Sequence, residues 1–81
     1  MGKQEVDCTG ARTWINDQLA AHPATRGLSV APFTEYDPLG DPTDRLMVGP
    51  GARPDNEALN VVLYLWKQLG ERFEIKPDPA P

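Results

Sequence analysis

One cysteine, Cys8, and one histidine, His22, are all that this chain of 81 residues has of the two residue types that build structural zinc sites. A single thiol cannot build an internal disulfide framework. One Cys and one His cannot supply the four ligands of a structural zinc site. A core in a domain this short is worth only about 3–5 kcal/mol, so packing and association must do what staples do elsewhere. The lone thiol fits a reducing, cytoplasmic location. No metal and no cofactor is expected.

Basic runs are missing too. Eight Lys and Arg are scattered among twelve Asp and Glu, for a net charge of −4. That balance argues against direct nucleic-acid binding, which needs a basic stripe along the phosphates. The acidic excess is also small for a DNA mimic, which is the most distant reading. No long apolar run exists: Val61-Val62-Leu63-Tyr64-Leu65-Trp66 is far too short to span a bilayer. Met1 to Glu5 lead into no apolar signal segment, and Val6 stands where a myristoylation motif carries Ser or Thr. No membrane association is expected. Apolar residues at 40% and charged residues at 25% are ordinary globular usage, which excludes wholesale disorder.

Residues 1–8 are polar and aperiodic and predict a flexible lead-in. Ala11, Trp14, Ile15 and Leu19 recur at helical spacing and predict a helix over 10–21. Thr9 is the expected cap, with Asp7 competing. Arg12, Asn16 and Asp17 fall on the outer side, and Pro23 stops the helix. Leu28–Ala31 and Phe33–Tyr36 read as one strand, bulged or at an edge because Pro32 cannot donate to a ladder. Asp37–Asp44 is a long turn, Arg45–Val48 a second strand, and Gly49-Pro50-Gly51 closes it. Pro54-Asp55-Asn56-Glu57 starts a second helix, expected to run to Leu69 and end at Gly70. Its apolar residues cover about 200°, more than the stripe needed to pack on one neighbour. Arg72–Lys76 is a candidate closing strand, and Pro77–Pro81 reads as a disordered tail.

Catalytic chemistry finds little support. Cys8 and Ser29 are the available nucleophiles and His22 the only histidine base, yet roughly 18 Å of helix separates Cys8 from His22. Glu35, Asp37, Asp41 and Asp44 crowd one loop without the alternating pattern of a calcium site, and Asp before proline is ordinary turn chemistry. Gly49-Pro50-Gly51 precedes a helix but lacks the Lys-Ser/Thr ending of a phosphate loop. Trp14 and Trp66 lie on apolar helix sides and read as core. Tyr64, by contrast, falls among polar residues, and Tyr36 and Leu39 flank the hairpin tip.

Together these features predict one α+β domain over 9–76, ordered helix–strand–strand–helix with a short third strand. Both helices would lie on one face of an antiparallel hairpin sheet, burying Trp14, Ile15, Leu19, Leu28, Val30, Leu46, Val48, Val62, Leu65, Trp66 and Leu69. With Arg45-Leu46-Met47-Val48 leading through a Pro/Gly turn into the closing helix, the element order resembles that of the small docking domains joining subunits of peptide and polyketide megasynthases. The resemblance is one of order and includes no motif. A non-enzymatic protein-binding module is the expected function: an adaptor, docking domain or inhibitor. The alternative is a structural subunit of a larger assembly, such as a phage virion connector or tail component. The expected partner is a protein, with self-association into a homodimer or higher oligomer. Tyr36, Leu39, Leu59, Leu63 and Tyr64 are the candidate interface residues.

Overall fold

A computed structural model describes residues 3–37 and 39–78. The elements run β1 (Gln4–Asp7), α1 (Cys8–Ala21), β2 (Leu28–Val30), β3 (Leu46–Val48), α2 (Asn56–Arg72) and β4 (Phe73–Lys76), with 3₁₀ turns at Pro23–Thr25 and Pro42–Arg45. The mixed α+β class is as expected from the sequence. Its topology differs, because the domain holds two separate two-stranded sheets.

The antiparallel hairpin pairs Leu28 with Val48, Ser29 with Met47 and Val30 with Leu46. Two strands alone are marginal, and α1 supplies what a third strand would. The Asn16 side-chain oxygen accepts from the Val30 N–H at 2.8 Å, and Arg12 Nε donates to the Val30 carbonyl at 2.9 Å. Arg12 and Asn16 are therefore half-buried against β2, not on the outer side of the helix. Only Leu28–Val30 of the first expected strand is regular; the chain from Ala31 onward leaves the sheet, and Phe33 turns into the core.

Lys3–Cys8 are not a flexible lead-in. Gln4–Asp7 pair in parallel with Phe73–Lys76, matching Val6 to Ile75. The closing strand thus exists but joins the chain's other end instead of the hairpin. Val6 and Ile75 pack on the core, while Glu5 and Lys76 form an exposed ion pair at 3.0 Å, which stabilises little. Cys8 opens α1 and is buried. Asp7 is the cap, accepting from the Gly10 N–H at 2.7 Å. Thr9 lies inside the first turn, where its N–H and hydroxyl donate to the Asp78 carboxylate at 2.9 and 2.7 Å. Asp78 is therefore tied down, although it belongs to the tail expected to be disordered. Met1, Gly2, Pro38 and Pro79–Pro81, on which other parts of the lead, turn and tail expectations fall, lie outside the described residues.

These hydrogen bonds hold the Asp78 carboxyl below its ordinary pKa. A lowered folded-state value means the clasp stabilises the fold above the ordinary carboxyl range and is lost as pH falls through the folded value. Asp78→Asn should therefore flatten the acid limb of the melting-temperature profile while leaving the profile near neutrality almost unchanged in shape. An acid limb identical to wild type would show that the clasp contributes nothing.

The core forms where the two helices meet. Ala11, Ile15 and Leu19 of α1 are buried with Ala58, Val62, Trp66 and Leu69 of α2, both sets at helical spacing. Only α1 lies broadly against the hairpin; the main neighbours of α2 are α1, β4 and the two 3₁₀ turns. The expectation of both helices on one sheet face is corrected accordingly. Val48, expected in the core, is 51% exposed, and Trp14, Leu46 and Leu65 are half-buried. Trp14 meets Phe73 edge-on at 5.7 Å, with the Arg72 guanidinium 5.8 Å from its ring centre.

Helix α2 continues past Gly70 to Arg72, and the Tyr36 side chain is braced against this stretch of its backbone. The Tyr36 hydroxyl donates to the Trp66 carbonyl and accepts from the Gly70 N–H at 2.9 Å, the two groups a regular helix pairs with each other. Burial chiefly raises the Tyr36 pKa, keeping the hydroxyl protonated for this bridge. Lys3 Nζ donates to the Gly70 carbonyl at 2.6 Å, and the Phe73 N–H to the Leu69 carbonyl, satisfying groups of the final turn.

Candidate functional site

The residues that carry chemistry are kept apart. Cys8 is 1% exposed at the start of α1, and burial, followed by the charges of Asp78 and Asp7, pushes its thiol pKa up. A protonated, covered thiol is a poor nucleophile. His22 caps the opposite end of the same helix, with its Nδ1 accepting from the Ala24 N–H at 3.1 Å. Helix α1 thus separates the two as its length implies. The acidic loop is committed locally: Asp37 accepts from the Leu39 N–H at 2.9 Å, and Asp41 from the Thr43 N–H and hydroxyl at 2.9 and 2.5 Å. Those two bonds hold the Asp41 carboxyl below its ordinary pKa. Among the described residues, no group of three or more His, Cys, Asp and Glu is placed to hold a metal. No described helix is long and apolar enough to cross a membrane.

What the fold does present is an apolar groove of about 520 Å³ along the outward flank of α2. Val61, Tyr64 and Leu65 line it from the helix, Glu57 and Asn60 stand at its polar side, and His22 closes it from the corner after α1. The periodicity of α2 explains the position. Residues 58, 62, 66 and 69 point at α1, so 57, 60, 61 and 64 come round to the far side. Tyr64 is 62% exposed and Leu63 41% exposed, whereas Leu59 is half-buried. Leu39 is 94% exposed at the loop tip.

Tyr36 does not belong with this set. Its ring lies 4.8 Å from that of Trp66, and its hydroxyl is held by the α2 backbone, so its contacts are spent inside the domain. Of the groove residues only Tyr64 is a candidate from the sequence; Glu57, Asn60, Val61 and Leu65 are missed, and so is His22. It reads as a polar helix end, and only the chain reversal at Pro23–Thr25 brings it beside Tyr64. The buried Thr25 hydroxyl fixes that reversal by donating to the Leu19 carbonyl at 2.7 Å. Comparisons with protein families, with curated proteins and with solved structures find no match to this chain.

Proposed function

We propose that the chain is a small non-enzymatic protein-binding module whose contact surface is the outward flank of α2. The observation carrying this reading is the groove beside Tyr64, with Leu63 exposed about 100° further round the same turn of the helix. A large aromatic with a polar tip, next to apolar walls and few charges, has the composition of interface cores. Burial of such surface stabilises a complex by about 25 cal/mol per Å² before ordering costs are subtracted. Leu59 lies half-buried beside Leu63 on the helix wheel, and Leu39 offers a second contact.

A structural subunit of a larger assembly is the second reading. Its support is β3, which pairs only with β2 among the described strands and exposes Met47 and Val48. A short apolar edge of this kind is a template for pairing with another chain.

Leu63→Glu, together with Tyr64→Glu in the groove itself, tests the first reading. Sedimentation across a wide concentration range, with and without candidate partners, should show association lost, while the far-UV circular dichroism of the monomer stays unchanged. If both variants associate as wild type does, the flank of α2 is not the interface. If the monomer unfolds instead, Leu63 is core.

A further inference from the structure

A second groove, of about 470 Å³, opens where the turn after α1 meets the loop entering α2. Its walls are drawn together by backbone. The Gly49 N–H donates to the Gly27 carbonyl at 2.8 Å, extending the hairpin by one rung. Gly27 adopts φ +87°, and Ala52 Cβ lies 2.9 Å from where a Cβ on Gly27 would stand, so only glycine allows this approach. Arg26 and Arg53 flank that contact, one residue to either side, and both line the groove with exposed side chains. Among the described residues, the only ion pair is the distant one between Lys76 and Glu5, and no hydrogen bond engages either guanidinium. In a chain of net charge −4, this groove is lined by two uncommitted cations.

Between the arginines lie small residues and open backbone: nothing comes within 4 Å of where a Cβ on Gly51 would stand. The groove has no aromatic lining, so there is no platform on which a base would stack. Two guanidinium forks suit a tetrahedral anion better than a planar one. A phosphate monoester presents three terminal oxygens that can accept from both forks and carries close to two negative charges to match the two cations, whereas a carboxylate carries one. Asp55 also lines the groove, and its Oδ1 is occupied by the Ala58 N–H at 2.8 Å. Its negative charge disfavours a bare anion at that end and suits a ligand that donates a hydroxyl there.

We propose that this groove binds a phosphate monoester, gripped between Arg26 and Arg53, with a neighbouring ligand hydroxyl donated to Asp55. The site is separate from the α2 flank and does not depend on the reading above. Titration of ¹⁵N-labelled protein with inorganic phosphate and with glycerol 3-phosphate, at constant ionic strength, tests it. Saturable shifts are expected at the Gly27, Gly51 and Ala52 amides and at both arginine Nε–H groups, with glycerol 3-phosphate the tighter ligand. Arg26→Gln and Arg53→Gln should each weaken binding about tenfold, the loss of one charge-assisted fork. Both side chains are exposed, so the amide spectra of the variants should otherwise match wild type. Shifts that never saturate, acetate binding as tightly as phosphate, or variants that bind like wild type would each overturn the assignment.

Discussion

Replacing Trp66 by alanine is expected to destabilise the domain by about 3–5 kcal/mol, which is most of what a core this small supplies. The side chain is 5% exposed and lies among residues from both helices and the loop. Phe33 meets it edge-on at 5.0 Å and Tyr36 packs at 4.8 Å. Its indole N–H donates to the Asp37 carbonyl at 2.8 Å. Truncation therefore leaves a cavity, frees the loop that carries Phe33 and Tyr36, and orphans a carbonyl. Trp66→Phe separates these effects: it keeps an aromatic ring and loses the hydrogen bond, whose loss alone costs about 1 kcal/mol. Denaturant melts decide the matter. An alanine variant folded within about 1 kcal/mol of wild type would mean that the loop does not close over α2 as described.

Gly70→Ala is expected to destabilise as well, against the direction that helix propensity alone would give. In a helix interior, alanine normally gains about 0.8–1 kcal/mol over glycine. Here the added Cβ would stand 2.8 Å from the Tyr36 hydroxyl oxygen and 3.1 Å from a ring carbon. Tyr36 cannot move aside cheaply, since its hydroxyl bridges Trp66 and Gly70 and its ring lies on Trp66. Overpacking of this kind costs about 1–3 kcal/mol, enough to outweigh the propensity gain. Tyr36→Phe removes the bridge but leaves the Trp66 carbonyl and the Gly70 N–H placed as helix partners for each other, so its cost should stay below that of Gly70→Ala. In the double variant the two effects should not add, because they act on one contact. If Gly70→Ala raises stability, Tyr36 swings away freely and the bridge does not hold the loop.

Both expectations concern the same seam, and the sequence shows only half of it. Trp66 is legible as core from the spacing of Ala58, Val62 and Leu69, because a helix repeats its buried face by rigid geometry. Gly70 misleads for the same reason: glycine after an apolar run reads as a helix end. Its actual role is set by a tyrosine 34 residues earlier in the chain. Arg12 and Asn16 mislead in a similar way. Their polarity predicts solvent, yet it serves the free edge of a strand that no local pattern could place beside them.

The candidate site divides along the same line. Tyr64 is singled out by the wheel of α2 alone, and Leu63 by the excess width of its apolar arc. His22, which completes the groove, becomes visible only when the chain reverses at Pro23. The groove between Arg26 and Arg53 likewise depends on Gly27 and Ala52 meeting, whereas the sequence pattern shows Gly49-Pro50-Gly51 only as a turn.

The sequence by itself determined the two helices, the hairpin between them, the residues at their shared face, and the separation of Cys8 from His22. These follow from spacing along one element, where neighbours in the chain are neighbours in space. The tertiary structure decided the parallel pairing of Gln4–Asp7 with Phe73–Lys76, the Asp78 clasp on Thr9, the bracing of Tyr36 against α2 and the walls of both grooves. Each of these joins residues far apart in the chain. A four-residue segment with one apolar side chain, such as Gln-Glu-Val-Asp, has no period to betray it, and it becomes a strand only because the end of α2 delivers a partner with a matching inward Ile75.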